Sequence, residues 1–158
     1  MKTLILYATK HGAAREIAAR IAKNMDGAVL HDLNESGIPP LAEFDCVIIG
    51  SSLYAGSIRK EAKAFLAQNA DQLRGKRIGL FLSGIGGVEG GEKEAFHKNF
   101  PPDLLQEAKA ACFMGGIFDP KKAGVIERFI MKIVTKGSGY IDIIRDEKIR
   151  AFATLMQA

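Results

Sequence analysis

The chain has 158 residues, is 47% hydrophobic and carries a net charge of +4. This length suits one domain, residues 1–158, whose core needs neither a disulfide nor a metal. The positive charge is spread along the chain and only 8% of the residues are aromatic, which disfavours nucleic-acid binding. No apolar run approaches the ~20 residues of a transmembrane helix. Met1 and Lys2 lead directly into a short apolar run, so we expect no signal peptide and a cytoplasmic location.

Apolar runs alternate along the chain with amphipathic segments. The predicted strands are 3–7, 28–33, 45–50, 77–83 and 109–116, and the predicted helices are 12–25, 58–71, 92–99, 122–136 and 146–156. This alternation predicts a parallel sheet with helices on both faces. Cys46 and Cys112 fall in two of the strands, where we expect buried thiols and no metal site. In such sheets, ligands bind at the carboxyl ends of the strands, near the point where the strand order reverses.

A short polar turn follows the first strand and precedes a helix; its sequence is Thr9-Lys10-His11-Gly12-Ala13-Ala14. A strand–turn–helix unit directs free backbone N–H groups and the positive end of a helix dipole at one point, which suits a phosphate or another anion. Alternatively, Thr9 caps the helix and Gly12 only permits the tight turn. Lys10 and His11 are then ordinary exposed side chains, so this turn leaves both interpretations open.

A second small turn follows the third strand, with the sequence Ser51-Ser52-Leu53-Tyr54-Ala55-Gly56-Ser57. In a functional interpretation, Leu53 or Tyr54 packs on a flat aromatic ring while the backbone hydrogen-bonds the edge of that ring. In the alternative, Leu53 fills the edge of the core and Tyr54 is a surface residue. The small polar residues around these two side chains are compatible with either.

A third turn follows the fourth strand, with the sequence Ser83-Gly84-Ile85-Gly86-Gly87-Val88-Glu89-Gly90-Gly91 and five glycines in nine residues. Glycine lets a backbone approach a planar heterocycle closely, although the same composition also produces flexible loops. The glycine spacing is that of neither a dinucleotide fingerprint nor a P-loop. Three such turns at one edge of a sheet indicate a ligand site more strongly than any one of them.

The residues of these turns resemble the flavodoxin-fold family of FMN-binding proteins. The opening run from Lys2 to Ala18 and the Gly50-Ser51-Ser52-Leu53 segment with Gly56 are most similar to the flavodoxin-domain group that contains the menaquinone-dependent protoporphyrinogen oxidases. A tail that includes Arg128-Phe129-Ile130-Met131-Lys132-Ile133 resembles that group and is lacking in ordinary flavodoxins. The resemblance implies a three-layer α/β sandwich in which a five-stranded parallel sheet has the order 2-1-3-4-5.

The resemblance also implies FMN as the cofactor and assigns its contacts. The phosphate would be held by Thr9, Lys10, His11, Gly12, Ala13 and Ala14, and the flavin ring by Ser51, Ser52, Leu53, Tyr54, Ala55, Ser83, Gly84, Ile85, Gly86 and Gly87. His11 and Ala14 stand where the family usually has hydroxyl side chains. We therefore expect Thr9 and the backbone around Gly12 to hold most of the phosphate.

No nucleophile–base pair, paired acid or metal-ligand cluster stands out in the sequence, so we name no catalytic side chain and expect the cofactor to carry the chemistry. The resemblance favours an oxidoreductase that passes electrons from a reduced, protoporphyrinogen-like substrate through FMN to a quinone or another acceptor. Two alternatives remain: a non-catalytic electron-transfer module, and a flavodoxin-like domain that has lost FMN. The basic character of the chain disfavours docking on the basic partners of acidic flavodoxins.

The predicted helix 122–136 is amphipathic and edged by basic side chains. Its apolar stripe contains Val125, Ile126, Phe129, Ile130, Ile133 and Val134. Helices of this kind lie on anionic membranes, where a quinone is found, and place the protein at the inner membrane face. More commonly, such a stripe packs against the sheet of its own domain.

Overall fold

The structure is a computed structural model that describes residues 1–85, 90–125, 127–129, 132 and 139–158. Its strands are β1 Thr3–Ala8, β2 Val29–Asp32, β3 Cys46–Tyr54, β4 Ser57–Ile58, β5 Arg77–Ser83, β6 Ala110–Phe113, β7 Ile117–Phe118 and β8 Ile141–Asp142. Its helices are α1 Ala13–Lys23, α2 Lys60–Leu73, α3 Glu92–Asn99, α4 Pro102–Glu107 and α5 Asp146–Gln157. Within the predicted helix 122–136, residues 125, 127–129 and 132 are helical, and positions 126, 130, 131 and 133–136 lie outside the described residues.

Five strands form one parallel sheet in the order β2-β1-β3-β5-β6. Because β5 and β6 are the fourth and fifth predicted strands, the predicted order 2-1-3-4-5 is confirmed. The chain moves from β1 outward to β2 and then returns past β1 to β3. The strand order therefore reverses between β1 and β3, which is where a ligand crevice opens in sheets of this type.

Both faces of the sheet are covered by helices, as predicted. On one face, Leu4, Leu6, Val47 and Ile49 pack with buried residues of α2 and α3. On the other face, alternate strand residues such as Ile5 and Ile48 pack with α1 and α5. Every residue of β1 is buried, because its side chains point alternately into the two clusters. This explains why the strands are continuously apolar in sequence.

The structure departs from the sequence prediction at several element boundaries. β3 continues to Tyr54 instead of ending at Gly50 and then pairs with the short antiparallel strand β4. The helix α4 was not predicted; it begins at Pro102, a position where a helix needs no N–H donor. β6 ends at Phe113 rather than Gly116, and its Cys112 is only half-buried. The antiparallel pair β7–β8 was not predicted.

Among the described helices, none has the length and the apolar composition that crossing a membrane requires.

Candidate functional site

A cleft of about 290 Å³ opens at the carboxyl edge of the sheet, at the point where the strand order reverses. All three predicted turns contribute to it. The predicted site residues that line the cleft are Thr9, Lys10, His11, Ala13, Ser52, Leu53, Tyr54, Ala55, Ser83, Gly84 and Ile85. Parallel strands end at the same edge, so residues that are distant in sequence meet here.

The remaining predicted site residues have other positions. Gly12 shapes the first turn from behind the cleft wall, and Ala14 is fully buried against the sheet. Ser51 is also fully buried; its hydroxyl accepts a hydrogen bond from the Arg59 backbone N–H at 2.9 Å. Gly86 and Gly87 lie outside the described residues. As contacts of a cofactor, all of these assignments remain predictions.

The first turn is built around Gly12, which has a φ of 97° and precedes the first residue of α1. Its N–H donates to Thr9 Oγ1 at 2.8 Å, so Thr9 fixes the turn rather than capping the helix. Within the described residues, no side chain caps the start of α1. The first N–H groups of a helix have no partners inside that helix. An anion at this end of the cleft would therefore meet unpaired donors and the positive end of the helix dipole.

An acidic side chain from the distant tail reaches this turn. Glu127 forms an ion pair with Lys10 Nζ, and its Oε2 lies 2.6 Å from His11 Nε2. The hydrogen bond from Lys10 is the largest cause that lowers the pKa of Glu127 below its ordinary value, and His11 adds to the effect. Lys10 also lies over the Tyr54 ring, with its ammonium 4.5 Å from the ring centre. Lys10 and His11 are therefore bound side chains rather than freely solvated ones.

The second predicted turn is a β-hairpin. The pairs Leu53–Ile58 and Tyr54–Ser57 leave only Ala55 and Gly56 in the loop. Both loop residues have positive φ, 49° and 77°, which is the signature of a type I′ turn. Since Leu53, Tyr54 and Ala55 line the cleft, the position of this hairpin sets one wall.

Asn99, the last residue of α3, fixes that hairpin from behind. Its side-chain Nδ2 donates to Gly56 O at 2.9 Å, and its Oδ1 accepts from Ile58 N–H at 3.0 Å. One amide thus satisfies backbone groups on both sides of the turn. The hairpin is anchored to a helix that packs in the core.

The third predicted turn supplies the part of the wall next to the hairpin, where a Cβ on Gly84 would lie 3.8 Å from Leu53 Cβ. Ser83 is fully buried, and its hydroxyl has no hydrogen-bond partner among the described residues. Gly84 N–H donates to Gly115 O at 3.0 Å, which connects this turn to the segment after β6. That segment brings Gly116, Ile117 and Phe118 to the cleft.

Sequence reasoning missed these three residues and Glu127, because they lie 25 or more positions beyond the third turn. It also missed Lys122, whose Nζ lies 3.9 Å from the place a Cβ would take on Gly12. The available signal was the resemblance of the tail to one group of proteins. That resemblance distinguishes the segment from ordinary flavodoxins but does not show that it lies beside the first turn.

The cleft lining combines apolar and polar side chains. The apolar ones are Leu53, Tyr54, Ile85, Ile117 and Phe118, and the others include Lys10, His11 and the Glu127 carboxylate that binds them. Within the residues that the structure describes, no three His, Cys, Asp or Glu side chains approach one another as metal ligands would. The arrangement suits a flat apolar ligand that carries an anionic group.

Fold and cleft together define a doubly wound α/β protein with a ligand site at the switch point of its sheet. The chain matches the family model described as "Flavodoxin domain" over residues 4–142. It therefore belongs to the flavodoxin domain family.

Individual relatives are distant. The chain is 24% identical over 151 residues to the protoporphyrinogen IX dehydrogenase [quinone] of Escherichia coli strain K12, a match that covers 88% of this chain and 81% of that protein. A flavodoxin from Streptococcus pneumoniae TIGR4 superposes with a TM-score of 0.62 at 16% identity, covering 99% and 98% of the two chains. A flavoprotein from Lactobacillus acidophilus NCFM, solved in complex with FMN, superposes with a TM-score of 0.52 at 17% identity, covering 72% and 90%. These superpositions confirm the flavodoxin-like fold.

Proposed function

We propose that this protein binds FMN in the cleft and acts as an oxidoreductase that passes electrons from a reduced, protoporphyrinogen-like substrate to a quinone or another acceptor. The observation that carries the proposal is the polarity of the cleft. The first turn brings Lys10, His11 and a helix start that no described side chain caps, whereas the hairpin and the third turn bring apolar side chains. FMN has the same division between a phosphate and a flat ring.

The residues present fit this cofactor. The turn of residues 9–14 would hold the phosphate through backbone N–H groups, as helix starts do for anions. Leu53 and Tyr54 on the hairpin and Ile85 on the third turn would flank the ring. The buried hydroxyl of Ser83, which has no partner among the described residues, offers a hydrogen bond in the cleft lining, because buried polar groups are rarely left without a partner.

When bound, the flavin supplies the electron transfer. The role of the protein residues is to bind the ring, to orient it between the hairpin and the third turn, and to exclude water from its faces. Electrons and protons that leave the reduced substrate pass to the acceptor. The name of the Escherichia coli relative, which joins a porphyrinogen substrate to a quinone, supports this choice of substrate and acceptor class.

The test is to reconstitute the full-length protein with FMN and then to assay turnover. We expect micromolar FMN to bind with altered flavin fluorescence, and protoporphyrinogen to be oxidised anaerobically when menaquinone is added. Tyr54→Ala should weaken binding, whereas Tyr140→Ala, an exposed tyrosine outside the cleft lining, should not. Absence of FMN binding would reject both flavin functions and favour a flavodoxin-like domain that has lost the cofactor.

The same assay separates an enzyme from an electron carrier. A carrier binds FMN and exchanges electrons with redox proteins but does not consume protoporphyrinogen. Binding without turnover would therefore support the non-catalytic electron-transfer module.

We also propose a peripheral membrane contact through residues 121–136, where a lipid-soluble quinone would be reached. Val125 is 73% exposed and Phe129 is 65% exposed, so these two residues of the predicted stripe do not pack against the sheet. Lys121, Lys122, Arg128 and Lys132 are exposed around them. Apolar side chains surrounded by basic ones are typical of surfaces that bind anionic lipid.

A further inference from the structure

Glu127 is the only acidic side chain that lines the cleft within the described residues. Its carboxylate is bound to both Lys10 and His11 of the first turn. It is about four-fifths buried, so this contact closes off the two side chains that are predicted to face a phosphate. More than 110 positions separate Glu127 from either partner, which makes the contact a product of the tertiary fold.

A carboxylate and a phosphate monoester can bind to the same donors, since each offers anionic oxygens to N–H groups. Two anions held by Lys10 and His11 at the same time would also repel each other in a partly buried cleft. Occupation by one therefore disfavours occupation by the other.

We propose that Glu127 is an internal ligand of the first turn and competes with the phosphate of FMN for Lys10 and His11. The inference rests on the proposed FMN binding and adds a residue that lowers the affinity for FMN. Lys122 lies beside Gly12, so an ammonium group remains near the turn while Glu127 holds Lys10 and His11. An incoming phosphate is then attracted to the turn before the carboxylate has left.

Competition of this kind acts on the phosphate and not on the flavin ring. Riboflavin has the ring of FMN without its phosphate, so Glu127 should lower the affinity for FMN alone. Replacing two partly exposed ion pairs changes an equilibrium by about tenfold. We therefore expect Glu127→Gln to tighten FMN binding by about tenfold and to leave riboflavin binding unchanged.

The experiment measures the Kd of both flavins by fluorescence titration of the full-length, flavin-free protein. Glu127→Ala is tested in parallel, because a glutamine oxygen can still accept a hydrogen bond from Lys10. Glu107→Gln, an exposed glutamate on α4, is the control with the same change in net charge. Tighter FMN binding in both Glu127 variants, with riboflavin and the control unchanged, supports the proposal.

Weaker FMN binding in the Glu127 variants would overturn the proposal, because it would mean that Glu127 positions Lys10 and His11 for the phosphate. An unchanged FMN Kd, or an equal change for both flavins, would overturn it as well. If neither flavin binds to any variant, the proposed function fails, and a thermal shift with inorganic phosphate still tests the competition. Phosphate should then stabilise the Glu127 variants more than the wild type, and equal stabilisation would reject the internal ligand.

Discussion

At the scale of single residues, Gly12 decides the shape of the first turn. Its φ of 97° belongs to the left-handed region, which side chains with a Cβ disfavour. The nearest atom to a Cβ at this position is 3.9 Å away, so space does not exclude a larger residue. The requirement for glycine is therefore conformational, and it affects every N–H group that the turn presents.

Gly12→Val should raise the Kd for FMN by tenfold or more, because a β-branched residue at this φ costs about 1–3 kcal/mol or distorts the turn. Lys10→Ala should raise it less, since Lys10 is already engaged by Glu127. Fluorescence titration of both variants measures the difference. Gly75→Val is the control: Gly75 also has a positive φ and open space around it, but it lies outside the cleft lining.

Equal losses in Gly12→Val and Lys10→Ala would contradict this argument, because side-chain charge rather than backbone geometry would then hold the phosphate. A comparable loss of affinity in Gly75→Val would assign the effect to general destabilisation.

At the scale of elements, the hairpin of β3 and β4 connects the core to the cleft. β3 is the central strand of the parallel sheet, and its last residues, Leu53 and Tyr54, extend beyond the edge of that sheet. A two-residue loop alone fixes the register of such a hairpin, whereas its tilt depends on what lies behind it. Asn99 supplies that support from α3 through its bonds to Gly56 and Ile58.

Asn99→Ala should lower the free energy of unfolding by about 1–3 kcal/mol, because it leaves a partly buried backbone N–H and C=O without partners. It should also weaken riboflavin binding, since we propose that the hairpin flanks the ring and not the phosphate. Chemical denaturation and flavin titration measure the two effects. Asn69→Ala is the matched control, because that amide donates to Phe65 O at 2.9 Å within α2.

If Asn69→Ala weakens flavin binding as much as Asn99→Ala does, the effect follows from stability alone and Asn99 does not position the hairpin.

At the scale of the whole molecule, charge and exposed apolar surface meet on one segment. The net charge is only +4, but the exposed residues Lys121, Lys122, Arg128 and Lys132 are close in sequence to the exposed Val125 and Phe129. Basic residues near an anionic surface contribute about 1 kcal/mol each. In the proposed membrane contact, we therefore expect this segment to bind anionic lipid more tightly than neutral lipid.

We expect the protein to float with vesicles that contain anionic lipid and not with purely zwitterionic ones, and to be released by high salt. The double variant Val125→Ser with Phe129→Ser should reduce co-flotation severalfold. The control is Val29→Ser with Leu30→Ser on the edge strand β2, where both side chains are 41% exposed without that basic surround. No co-flotation of the wild type, or an equal loss in the control, would reject the membrane contact.

The sequence by itself determined the layers of the fold. Continuous apolar strands such as β1 and β3 and the single apolar stripe of α1 each depend on neighbours a few positions away, and local periodicity carries that information. The order of the strands could be predicted only from the family resemblance. The ends of β3 and β6 and the whole of helix α4 were missed, because hairpin pairing and a proline at a helix start depend on contacts beyond the local pattern.

Only the tertiary structure decided which side chains bind Lys10 and His11 in the first turn. The sequence placed Lys10, His11 and Tyr54 in two turns and could assign each of them a solvated or a ligand-facing role. The fold brings Glu127 across 117 positions to Lys10 and places Lys10 over the Tyr54 ring. No periodicity encodes a contact of that separation, since it depends on the path of the whole chain between its two partners.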